Sequence, residues 1–226
     1  MTGTPAERAP GLVVAADVVL ASDALLGAHV VLHAGVVVGP RVEIQDGAIV
    51  GKATRLGPRS DAPVPPPATT ELEAGCVICC GAVIVAGARI AADAIVGDHA
   101  FIREGASIGP GSVVGHGGAI GRDVVVGARV RLQNSVVIAP GWEVGDEADV
   151  GPGVLTTTER WHTGESSDGP LGGRIGTGAR IGAGVVLLPG VEIGDGAVVG
   201  AGAVVRESVP AGVTAVGMPA RLLPRS

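Results

Sequence analysis

The sequence predicts an all-β chain wound as one long parallel solenoid, and three observations predict it. The first is a period of six. From Leu72 to Leu155 fourteen consecutive hexads open with Ile, Val or Leu, and none breaks phase. Neither a 3.6-residue helix nor two-residue strand alternation produces this period; short fixed repeats mark units that bury their apolar side by stacking on their neighbours. The second is the fifth position of these fourteen hexads, which is Cys, Ala, Ser, Gly or Val at every one except Trp142. The third is composition: hydrophobic residues reach 46% while aromatics stand at 1%, with no Tyr and one Phe. A globular core leans on aromatics, whereas a narrow solenoid core leans on Val, Ile, Ala and Gly.

Each hexad supplies a short strand and a turn. The aliphatic first residue and the small fifth residue are expected to point inward, where little room remains near the axis. Seven second positions between Leu72 and Leu155 are glycine, which eases the bend because it lacks a Cβ. Three hexads close one coil, so residues 18 apart are expected to stack at roughly the 4.8 Å strand spacing.

Taken in order, residues 1–13 read as a flexible lead-in and residues 14–210 as a single repeat domain. Hexads open at Val14, Leu20, Leu26, Leu32, Val38, Ile44, Val50 and Leu56. The phase breaks over residues 57–71, whose five prolines cannot continue a sheet ladder; the same repeat resumes at Leu72, which makes this a looped-out segment. A second break spans residues 156–174, and six further hexads run from Ile175. The 28 hexads amount to about nine coils and roughly 45 Å of solenoid. The tail, residues 211–226, has no helical periodicity and is expected to run back along the last coils.

The net charge of −6 disfavours nucleic acid and anionic membrane as partners. Mean hydropathy is high at +0.48, yet glycine or a charge interrupts every apolar run, and none approaches a spanning helix. The first residues show no basic segment followed by an apolar one, so a cytoplasmic protein is expected. Cys76 and Cys79 form a lone C-x-x-C, the spacing of a redox motif or half a zinc site, but no second pair exists and Cys76 falls on the inward fifth position; the three cysteines, Cys80 included, read as small apolar residues in a reducing compartment.

The stacking rule locates candidate chemistry. His116 and Asn134 differ by 18 and share the third position of their hexads, so they are expected to stack outward on adjacent coils. The second excursion leaves directly after Val150–Leu155 and carries Glu159, Trp161 and His162. A histidine, an amide, a carboxylate and an aromatic are thus expected to converge near one edge, with an imidazole as general base at neutral pH. His99 lies 17 before His116; a zinc site from this pair lacks a third ligand, since His29 and His33 belong to the first repeats. Phe101, at an outward sixth position, suggests a subunit contact ahead of a ligand platform. Trp142 is expected to bulge the coil or to pack at an interface. No dinucleotide fingerprint or serine elbow is present, and Gly51-Lys52 lacks the spacing of a phosphate loop.

At IGAGVVLLPGVEIGDGAVVGAGAVV, followed by E-S-V-P and VGMPARLL, the chain resembles the hexapeptide-repeat acyltransferases. That resemblance, not the period, implies the three-sided coil and its left-handed winding, making the expected fold a left-handed parallel β-helix. It also implies a homotrimer with acetyl-CoA as acyl donor, lying in a groove between subunits. By the same resemblance Gly182, Ala183, Gly200, Ala201, Val216, Gly217 and Pro219 line the groove, and Arg221 meets a CoA phosphate. Gln133-Asn134 and Gly151-Pro152 resemble the subgroup that N-acetylates nucleotide-linked amino sugars, whereas Thr158-Glu159 departs from that subgroup's Thr-Asn pattern. Stacking and resemblance together give the expected roles: proton transfer by His116 or His162, orientation of the imidazole by Glu159, and acceptor binding by Gln133, Asn134, Thr158 and Trp161; no metal is expected. The alternatives are an O-acetyltransferase, a non-catalytic scaffold, and a zinc hydratase of the carbonic anhydrase type.

Overall fold

The computed structural model describes residues 9–58, 68–158 and 171–224. Strands of two to four residues follow one another along the chain, and up to Val204–Val205 each coil pairs its strands in parallel with those three places on. This builds three walls. Wall 1 has ten strands, from Val13–Val14 to Val204–Val205; wall 2 has nine, from Val19–Leu20 to Glu192–Ile193. Wall 3 has eleven, from Leu25–Leu26 to Arg221–Leu222. The molecule is a left-handed parallel β-helix, and among the described residues it contains no helix.

The register follows the sequence period. Val96 pairs with Val114, Val114 with Leu132 and Leu132 with Val150, each step advancing one coil. Backbone N–H groups donate along the axis to the next coil, as Val113 N does to Val130 O at 2.8 Å and Gly115 N to Leu132 O at 2.8 Å. A two-residue strand is therefore satisfied without a partner in its own coil. First and fifth hexad positions point inward: Ile78 and Ala82, like Ile102 and Ala106, have no exposed surface. Ser112 occupies one inward fifth position and is buried at no polar cost. Its hydroxyl donates to Gly127 O at 2.7 Å and accepts from Val130 N at 2.9 Å.

Three expectations need correction. Leu56 opens no strand; the first excursion has begun by then, and Leu72 takes the place beside Val38. Trp142 neither bulges the coil nor reaches an interface. It is fully buried, its coil keeps the regular pairing of Val126 with Val144, and Nε1 donates to Thr157 O at 3.0 Å. The room comes from Gly173 in the next coil, where a Cβ would stand 2.6 Å from the indole ring. The tail first continues the coil: Thr214–Val216 adds a parallel strand to wall 3, and only then does Arg221–Leu222 turn back antiparallel.

Candidate active-site edge

Where wall 3 turns into wall 1, eight successive corners form one continuous edge. Registers through Ile44, Ile78, Val96, Val114, Leu132, Val150, Ile181 and Val199 place Asp46, Cys80, Asp98, His116, Asn134, Pro152, Ala183 and Ala201 in a single file. His116 and Asn134 therefore share an edge with Gly182, Ala183, Gly200 and Ala201. By strand spacing, Ala183 lies about 10 Å and Ala201 about 14 Å beyond Asn134. The upper half of the file carries only small, neutral residues.

The glycines there are dictated by the coil above. A Cβ at Gly115 would sit 2.7 Å from Asn134 N, one at Gly151 2.8 Å from Ala183 N, and one at Gly200 2.8 Å from the Val216 side chain. Without side chains at these positions the successive coils close down on one another along the edge. Val216 and Arg221 are exposed at its upper end, with Gly217 and Pro219 in the turn between their strands.

His116 and Asn134 are exposed and joined through the turn. Asn134 Oδ1 accepts His116 N–H at 3.1 Å. The same bond recurs on this edge between Asp46 Oδ1 and Ala28 N at 2.7 Å, and between Asp98 Oδ1 and Cys80 N at 3.0 Å. It belongs to the architecture of the turn, and it leaves the amide nitrogen of Asn134 facing outward. Gln133 is turned aside: Nε2 donates to Asp149 Oδ1 at 3.2 Å, while Arg131 holds Asp149 Oδ2 at 2.6 Å. The Arg131 hydrogen bond keeps the Asp149 carboxyl below its ordinary range.

His99 is the residue that sequence reasoning undervalued. At φ 55 it holds the left-handed turn conformation that Gly117 adopts one coil on. Its ring meets the His116 ring edge to face, with centroids 5.8 Å apart. The signal was present in the separation of 17, which places both on adjacent corners of one edge. Among the described residues no three His, Cys, Asp or Glu side chains converge to hold a metal ion.

Both excursions leave from a different edge, where wall 1 turns into wall 2. The second is pinned there. Ala139 N donates to Thr156 Oγ1 at 2.7 Å, Thr157 Oγ1 to Leu187 O at 3.1 Å, and Leu171 N to Thr158 O at 3.2 Å, closing the neck. Thr158 therefore lies across wall 1 from Asn134 rather than beside it, contrary to the expected convergence on one edge at the level of the loop's root. Glu159, Trp161 and His162 lie outside the described residues.

Residues 172–207 match the family described as bacterial transferase hexapeptide (six repeats). No curated protein matches the chain. Among solved structures, a candidate acetyltransferase from Bacillus cereus is 25% identical over 60% of this chain and 76% of its own, with a TM-score of 0.50. The GDP-perosamine N-acetyltransferase of Caulobacter crescentus, solved with CoA and GDP-perosamine, is 22% identical over 64% of this chain and 57% of its own, with a TM-score of 0.24. The acetyltransferase domain of PglB from Neisseria gonorrhoeae, solved with acetyl coenzyme A, is 21% identical over 81% and 58%, with a TM-score of 0.35. Repeat and sheet topology agree with a left-handed parallel β-helix throughout, and over residues 172–207 the chain matches the hexapeptide-repeat transferase family.

Proposed function

We propose that the chain is an acetyl-CoA-dependent acyltransferase, N-acetylating an amine on a nucleotide-linked amino sugar. The observation that supports it is the shared edge: His116 and Asn134 stand in one file with the glycine-lined stretch from Gly151 to Ala201. The donor's long thiol arm lies along the small residues at Gly182–Ala183 and Gly200–Ala201, with Arg221 near its phosphates. That puts the thioester carbon at the level of His116 and Asn134. The acceptor nitrogen bonds to that carbon as the carbon–sulfur bond breaks. The proton shed by the nitrogen passes to the imidazole of His116 or His162, and on to the departing thiolate. Backbone N–H groups of the turns stabilise negative charge on the carbonyl oxygen. Holding both reactants against one rigid edge supplies much of the rate. The amino-sugar assignment rests on Gln133-Asn134 and Gly151-Pro152.

The active assembly in this reading is a cytoplasmic homotrimer. All ten outward positions of wall 1 are apolar, from Val13 through Phe101, Val137 and Leu155 to Val204. Walls 2 and 3 carry Glu71, Arg89 and Glu143, and Glu43, Arg131 and Asp149, at the matching positions. An apolar stripe of this length calls for cover. Three copies with wall 1 turned to a common axis bury it. In that ring the edge carrying the excursions in one copy meets the His116 edge of the next.

Steady-state kinetics with acetyl-CoA and UDP- or dTDP-amino sugars test the chemistry. His116→Ala or His162→Ala is expected to lower kcat by about 10²–10⁴-fold, the range of a lost acid–base group. Full activity in both variants eliminates histidine as the base, and absence of acetyl-CoA binding by the wild type eliminates acyl transfer.

A further inference from the structure

Lys52 to Gly57, the start of the first excursion, closes a cavity of about 340 Å³ against Val85, Phe101, Arg103 and Glu104. Glu104 is only 4% exposed, although it occupies a turn position on the outside of the solenoid. A carboxylate is buried only with a partner, and the adjacent Arg103 supplies it, Nε to Oε2 at 3.1 Å and Nη2 to Oε1 at 2.6 Å. This fork engages two of the five guanidinium N–H donors and holds the plane in one orientation, with three donors left over. Lys52 and Arg55 line the same cavity. Neither has a carboxylate partner among the described residues. Three cations thus surround one carboxylate that is already paired, on a chain whose net charge is −6. Local charge of that sign attracts a polyanion against the field of the rest of the molecule.

We propose that this cavity binds the phosphate groups of the acceptor, the diphosphate of a nucleotide-linked sugar. Arg103 presents a fixed fork suited to phosphate oxygens, and Lys52 and Arg55 add charge from the facing side. Phe101 closes the side toward wall 1. Identifying the ligand as the acceptor rests on the function proposed above. In the three-copy ring this cavity faces the next copy's His116 edge, within about one strand spacing, roughly 5 Å, of the height of its His99. The phosphates are then held by one copy while the amine is presented to the other.

Isothermal titration of the full chain with inorganic pyrophosphate, UDP and uridine tests the proposal. Lys52→Gln/Arg55→Gln is the variant, because it leaves the Arg103–Glu104 pair intact. Pyrophosphate and UDP are expected to bind and uridine is not, and added salt is expected to weaken the binding. The double variant is expected to lose at least about tenfold in affinity for both anions, the scale of a lost charge-assisted contact, with acetyl-CoA affinity and thermal melting unchanged. Equal pyrophosphate affinity in variant and wild type, or no binding to the wild type at millimolar pyrophosphate, overturns the cavity assignment. If acetyl-CoA binding persists in that event, acyl transfer still stands. Pyrophosphate binding that depends on Lys52 and Arg55, in a protein that ignores acetyl-CoA, upholds the cavity and sinks the proposed function.

Discussion

Asn134 accepts the backbone N–H of His116 through Oδ1 at 3.1 Å, one coil above it, as Asp98 and Asp46 do for the turns beneath them. The amide therefore has two separable halves. Its oxygen builds the turn that presents His116, and its nitrogen is available to a ligand.

Replacing the residue in two ways separates those halves. Asn134→Asp keeps the acceptor and removes the donor, so its melting temperature is expected to match the wild type while kcat/KM falls at least about tenfold, the effect of one lost hydrogen bond to substrate. Asn134→Ala removes both and is expected to cost about 1 kcal/mol of stability as well. Thermal melts paired with kinetics decide it; an Asp variant with undiminished kcat/KM reduces Asn134 to a turn element.

Trp142 gives the second prediction. It is the largest fully buried side chain among the described residues, and its indole occupies space left open by Gly173. Trp142→Ala is expected to lose about 3–5 kcal/mol, because the emptied volume adjoins rigid coils that cannot collapse into it. Gly173→Ala is expected to lose about 1–3 kcal/mol through overpacking against the ring and against Val191 O. Urea unfolding measures both, and a Trp142→Ala loss below about 1 kcal/mol means the neighbouring coils do close in.

The contrast between these residues shows what sequence can and cannot reveal here. Inward placement of Ile102 and Ala106 follows from a rule that each hexad obeys alone, and stacking of His116 under Asn134 follows from counting three hexads. Both are local or strictly periodic, so both were legible. The home of Trp142 was not, since its space is made by a glycine on the far side of a non-repeating excursion. Gln133 could be placed at a corner, but its engagement by Asp149 depends on side-chain direction within wall 3. Leu56 has the spacing of a strand opener, and nothing before it in the sequence says that the chain has already left the coil. Burial of Glu104 likewise depends on how residues 52–57 fold back, which periodicity does not address.

The three cysteines differ in ways their proximity in sequence conceals. Cys76 points into the core, and burial pushes its thiol up to about 12. Burial also raises Cys79, more weakly, whereas Cys80 is exposed at a corner. Since the thiolate is the reactive form, a maleimide at pH 8 is expected to modify Cys80 first and Cys79 slowly. Cys76 is expected to react only after unfolding. Raising the pH toward 10 is expected to speed the Cys79 reaction, because burial holds its thiol above the ordinary range. Mass spectrometry of the labelled chain checks the order; early labelling of Cys76 means the coil opens at that level.

The last prediction concerns wall 1. Ala119 and Val137 are adjacent outward residues in a stripe without a single charge, whereas Val125 is an exposed apolar residue on wall 2, paired with Glu143. A carboxylate at position 137 leaves the coil interior untouched, because the side chain points away from the core, but it cannot be desolvated against a second apolar wall without a partner. Val137→Glu is therefore expected to break the proposed trimer into monomers with little change in secondary structure, and Val125→Glu is expected to leave the assembly as it was. Sedimentation velocity distinguishes the two. Activity should follow assembly in the proposed ring, since the neck of the excursion and the His116 edge lie on opposite sides of wall 1. A Val137→Glu variant that is monomeric and fully active would show that each chain completes its site alone.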